Sequence, residues 1–181
     1  NQELLNSKSG LYTFSPDVTF VIIDVRNVLG DYFHHAHDMS DDERKNLAKE
    51  KINELQNLIE TFENNSNSKL VITNLNVPSY SPNGIIENKL KFGFHEMIEE
   101  INNSLRHILK NHNSVYMYDF RQFVSKFGEK NVFDYRQFHL GDIQIAFNLI
   151  PYLANDLMSY IKPMFGINRK CIVLDLDNTL W

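Results

Sequence analysis

A single cysteine, Cys171, leaves this chain no internal disulfide framework, which fits a reducing interior and a cytoplasmic location. Positive charge is also short: 18 Lys and Arg stand against 23 Asp and Glu, and no Lys/Arg block offsets the net charge of -5. A nucleic-acid partner is therefore not expected. No apolar run approaches the roughly 20 residues that span a bilayer, and the polar amino end Asn1-Gln2-Glu3 lacks a signal-peptide pattern, so no membrane is expected either. What is present is ordinary globular composition, 43% hydrophobic and 23% charged. At 181 residues the chain suits one domain with some surplus, long enough to bury a substantial core.

Apolar runs and helical stripes alternate along the chain. Ser15-Pro16-Asp17 punctuates the entry to Val18–Val25, a continuous apolar run of the kind a buried parallel strand shows, with Arg26 and Asn27 at its carboxyl edge. Ser40 and Glu43 form a capping-box signature, opening a helix with Leu47, Ile52, Leu55, Leu58, Ile59 and Phe62 on one side and charge opposite. Leu70–Leu75 is the next strand. Pro78, Ser79, Ser81, Pro82, Asn83 and Gly84 make a loop at its carboxyl end. A long helix is expected to carry Leu90, Phe94, Met97, Ile101, Leu105 and Ile108 toward a core. Val115–Asp119 reads as a third strand, followed by a short helix that Gly128 closes. A last helix is expected from about Asp142 to Phe165, kinked or divided at Pro151 and ended by Gly166. This alternation predicts an α/β fold, a doubly wound parallel sheet with helices on both faces.

Three constellations carry possible chemistry. His34, His37 and Asp38 place imidazoles on one face if helical, but the segment reads as a polar loop with nothing to fix a fourth metal ligand. Asp134 and His139 stand before the last helix, where an acid–base pair for Ser-His-Asp chemistry would sit. The third is Lys170–Trp181, where an apolar β-branched run meets Asp175 and Asp177. One carboxylate at the carboxyl end of a buried strand suits attack on phosphorus, and its neighbour suits proton transfer to or from the leaving oxygen. A bound Mg2+ would neutralise such a crowd of negative charge. Cys171, four residues before Asp175 on an apolar strand, reads as packing.

Val173-Leu174-Asp175-Leu176-Asp177-Asn178-Thr179 resembles the first motif of the haloacid dehalogenase (HAD) superfamily. That resemblance implies a nucleophile and metal ligand at Asp175, a general acid/base with a metal-binding carbonyl at Asp177, and loop orientation by Thr179. The Asp134/His139 block is similar to that of SGNH (GDSL-type) hydrolases, with a longer gap. No Gly-Asp-Ser block precedes Val18, and only Asn27 partly fits the family's Gly-x-Asn-Asp block, so an SGNH-like fold is expected without a complete triad. The succession resembles the FkbH-like (HAD class IIIC) proteins of bacterial polyketide and related pathways, with Ser9-Gly10-Leu11-Tyr12 near the start and Tyr80-Ser81-Pro82-x-Gly84 midway. It implies an SGNH-like α/β domain over residues 1–166, without its first strand, and the first strand of a HAD Rossmannoid domain over 167–181. It further implies an intact protein that uses Mg2+ to dephosphorylate a glyceryl or similar hydroxyacyl phosphate, a small phosphorylated acyl donor, and loads the acyl unit onto an acyl carrier protein. The residues alone leave two other readings open: a non-catalytic module that docks the carrier, and an SGNH-type ester hydrolase. The 181 residues by themselves are expected to be catalytically inactive.

Overall fold

The computed structural model describes residues 2–141 and 143–167, the side chains of Tyr135 and His139 excepted. Two short helices, α1 (Gln2–Leu5) and α2 (Gly10–Phe14), precede strand β1 (Val18–Val21). Helices α3 (Val25–Leu29), α4 (Tyr32–His35) and α5 (Asp41–Asn65) lead to β2 (Lys69–Thr73), and α6 (Phe94–Leu109) to β3 (Val115–Tyr118). Then come α7 (Phe120–Phe127), α8 (Glu129–Val132), α9 (Tyr135–Gly141) and α10 (Ile150–Met164). The chain divides into two compact units, Asn1–Val132 and Phe133–Trp181.

The first unit holds the α/β fold expected from the alternation: three parallel strands in the order β1-β2-β3, flanked by helices. Phe20 pairs with Val71, and Val71 with Tyr116. Leu70, Val71, Ile72 and Thr73 are all buried, the signature of a central strand covered on both faces. Both crossovers step across the sheet in one direction, and right-handed crossovers then place α5 and α6 on the same face. These two helices accordingly pack along one another. Their apolar stripes meet Leu70 and Ile72 in the main core: Leu55, Ile59 and Phe62 from α5, and Phe94, Met97, Ile101 and Leu105 from α6. Burial of each such side chain favours folding by about 1.5–3 kcal/mol.

Local signals account for the element ends. Ser40 caps α5 by accepting from the Glu43 backbone, and the Glu43 side chain accepts from the Ser40 backbone at 2.7 Å, which completes the capping box. Gly128 closes α7 at φ 84, its N–H donating to the Val124 carbonyl at 2.8 Å. Elsewhere the boundaries differ from the sequence expectation. The first strand stops at Val21, and Val25 already opens α3. Leu90 lies outside α6, because Gly84–Lys89 forms a 3-10 turn and the helix starts only at Phe94.

In the second unit α9 comes first, and the helix expected from about Asp142 is shortened to α10, because Ile145 forms an antiparallel bridge with Phe133 and Phe147–Leu149 forms a 3-10 turn. Pro151 neither kinks nor divides a helix. It sits in the first turn of α10, where a proline has no N–H to lose and its φ is already helical. Gly166, at φ 69, follows the helix end as expected.

Candidate functional site

In an open parallel sheet, ligands and partners meet the loops beyond the carboxyl ends of the strands. The loop that leaves β2 is by far the longest of these, running from Asn74 to Gly93. Long ordered loops on a rigid scaffold are where function concentrates. Buried polar side chains pin this one at its start, middle and end.

At its start, Asn102 of α6 reads the backbone of Leu75 on both sides: its amide donates to the Leu75 carbonyl at 2.9 Å and its oxygen accepts the Leu75 N–H at 2.7 Å. Beside it, Asn74 donates to Asp119 at 2.7 Å and accepts the Arg121 N–H at 3.1 Å. Asp119 also caps α7 through Gln122. The end of the central strand is thereby tied to the start of the helix after β3.

In the middle stands Glu87, a buried carboxylate. It accepts from the Ser81 hydroxyl, from the Asn83 amide at 2.7 Å and from the His95 N–H at 2.8 Å. Burial opposes its charge, yet those three donors prevail and hold the carboxyl below the usual carboxylate range. A β-carbon at Gly93 would overlap the Glu87 carboxylate, so glycine is required there by close approach. Ser79 adds an anchor, its N–H donating to Glu129 at 2.9 Å, and the His95 ring meets the Tyr80 carbonyl at 2.9 Å.

The end of the loop is held by Arg44 of α5, whose side chain is only 3% exposed. Its guanidinium donates to the carbonyls of Phe92 at 2.7 Å, Ala36 at 3.1 Å and Met39, and pairs with Asp41. One charge thus fastens the turn before α5 and the loop before α6 to the same point. The sequence holds a signal for this burial, beyond the apolar pattern itself: Arg44 continues the stripe through Leu47, Ala48 and Leu55 at helical spacing.

Of the residues singled out from sequence, Asp175, Asp177, Thr179 and Cys171 lie outside the described residues, as does the side chain of His139. Asp134 caps α9, accepting the N–H groups of Arg136 and Gln137 at 3.1 Å each. Arg26 pairs with Asp24 at 3.0 Å just beyond β1. The histidine segment folds as α4 and a 3-10 turn over Ala36–Asp38. His35 and His37, not His34, approach Asp38, at 3.8 and 3.3 Å, and all three are exposed. Among the described residues no group of three or more His, Cys, Asp or Glu side chains could hold a metal ion. None of their helices is long and apolar enough to cross a membrane.

Residues 1–162 match the family model of the FkbH N-terminal domain. Among solved structures the chain is similar to the N-terminal part of the protein BF1531 from Bacteroides fragilis, described as containing a phosphatase domain and complexed with Mg. The TM-score is 0.81 at 20% identity, over 99% of this chain and 46% of that one. This chain therefore spans less than half the length of that structure, and at such identity the likeness concerns the fold. No curated protein matches the chain.

Proposed function

The chain belongs to the family of FkbH N-terminal domains, and from that premise we propose that the intact protein is a HAD-type phosphatase and acyl transferase. It dephosphorylates a glyceryl or similar hydroxyacyl phosphate and loads the acyl unit onto an acyl carrier protein in polyketide-type biosynthesis. The observation that carries this reading is the succession of a family-matched domain and, within twenty residues of its end, Asp175-x-Asp177-x-Thr179.

In this reading Asp175 is the nucleophile. Its carboxylate oxygen bonds to phosphorus as the bond from phosphorus to the leaving oxygen breaks, and Asp177 hands that oxygen a proton. Thr179 orients the loop that holds both carboxylates. The Asp175 carboxylate and the Asp177 backbone carbonyl are hard oxygen donors of the kind Mg2+ takes, so these two residues would hold that ion, which when bound supplies neutralising charge at the phosphoryl group. Loading breaks a different bond, on a donor that carries a second phosphate on its carboxyl group: the carrier's thiol attacks the acyl carbon and that phosphate departs with the bridging oxygen.

The SGNH-like part then serves as a binding module, not an ester hydrolase. Asp134 fits this assignment with a structural role, its Oδ1 accepting the N–H groups of Arg136 and Gln137 and so capping α9. The test is phosphate release by the intact protein carrying Asp175→Asn. Release falls by roughly a thousandfold or more, and undiminished turnover overturns the proposal. Hydrolysis of a p-nitrophenyl ester that vanished with His139→Ala would instead restore the hydrolase reading.

A further inference from the structure

The pinned loop after β2 displays what it could have hidden. Ile85 is 97% exposed, Ile86 is half exposed, and Tyr80 stands nearby with its ring edge-on to Phe33 at 6.3 Å. A lone exposed aliphatic residue is unremarkable, but adjacent ones on a loop anchored at three points form an ordered apolar knob. Charge singles out the same loop. From Thr73 to His95 the one carboxylate is Glu87, and it is turned inward onto Ser81, Asn83 and His95. The outward charges are Lys89 and Lys91, both exposed, on a chain whose net charge is -5.

We propose that the loop over residues 80–91 is the docking surface for the carrier protein, a partner of acidic charge. Its apolar patch covers Ile85 and Ile86 while its carboxylates meet Lys89 and Lys91. Naming the carrier as occupant rests on the function proposed above. The loop is ordered before the partner arrives, so little entropy is lost on binding, and a preformed apolar anchor ringed by charge is the usual anatomy of a binding hot spot. Two lysines on an acidic body also steer an acidic partner to this one face and repel it elsewhere.

The experiment uses the intact protein and, as probe, a phosphopantetheinylated acyl carrier protein of negative net charge. Binding is followed by calorimetry, and loading by mass spectrometry. Two double variants are compared with wild type after their melting temperatures are shown to match: Ile85→Ser with Ile86→Ser, and Lys89→Glu with Lys91→Glu. Each raises the Kd and the KM for carrier about tenfold or more. Phosphate release in the absence of carrier, and kcat at saturating carrier, stay within about twofold of wild type. Wild-type affinity in both variants, or no carrier binding by wild type, overturns the docking surface. So does loop-dependent binding to phosphatidylserine vesicles in place of the carrier. Loop-dependent carrier binding without loading keeps the surface and overturns the proposed reaction, whereas loading with loop-independent affinity does the reverse.

Discussion

Glu87 shows how one buried charge organises a loop. Three donors converge on it, and replacing it by Ala leaves the Ser81 hydroxyl, the Asn83 amide and the His95 N–H without their acceptor in a buried place. Glu87→Ala is expected to lower stability by about 2–3 kcal/mol, read from urea denaturation. Gly93→Ala, which pushes a methyl into the same carboxylate, should cost about 1–3 kcal/mol by the same measurement. Glu63 is a second organising carboxylate, at the opposite end of the sheet, where His112 at 2.5 Å and Ser114 both bond to it. Ser114 donates to Glu63 and not to His112, so this Ser-His-Glu group joins α5 to the turn before β3 and is not a catalytic triad. Burial raises the Glu63 carboxyl, but the bonds from Ser114 and His112 outweigh it and bring it below its ordinary value. The folded state therefore binds that proton more weakly than the unfolded chain. The stability this contributes is complete above the unfolded carboxylate pKa and is lost as pH falls through the lower folded value. Glu63→Gln should flatten the acid limb of the stability profile below about pH 4.5, and an unchanged slope between wild type and variant would refute the coupling.

At the level of elements, periodicity and caps were legible because they are local. The Ser40–Glu43 box, the core face of α6 from Phe94 to Leu105 and the closing glycines Gly128 and Gly166 all follow from neighbours within a few residues. What stayed hidden depends on distant partners. Arg44 stands on the buried stripe of α5, but what its charge is for stays hidden until Phe92, 48 residues on, supplies a carbonyl. Asn102 reads as a helix-surface amide until Leu75 turns its backbone toward it. The start of the final helix has a local cause: proline suits the first turn of a helix as well as it breaks an interior, and Pro151 occupies that first turn. Asn102→Ala leaves both Leu75 groups unpaired inside the protein and should cost about 2–4 kcal/mol, because two buried backbone groups lose their partners at once. Slower amide exchange at Leu75 in the variant than in wild type would contradict that assignment.

For the molecule as a whole, stability and catalysis should come apart. The main core draws its residues from Leu4 to Val115, and the polar anchors of the long loop, Asn102, Glu87 and Arg44, also lie inside the first unit. The Asp175–Thr179 motif, which the sequence makes legible through its chemistry, stands beyond residue 162, where the family match ends. A substitution that removes one carboxylate oxygen at Asp175 should therefore leave the unfolding of the Asn1–Val132 unit unchanged to within about 0.5 kcal/mol, while phosphate release collapses. Carrier affinity, if the loop over residues 80–91 provides it, should survive in the same variant. The measurement is a single preparation of Asp175→Asn intact protein carried through urea denaturation, carrier titration and phosphate assay. Loss of stability along with activity would mean that Asp175 supports the fold, and loss of carrier affinity with activity would mean that the motif itself contacts the carrier. Retention of the first two with loss of the third is the outcome that a binding module joined to a separate phosphoryl-transfer site requires.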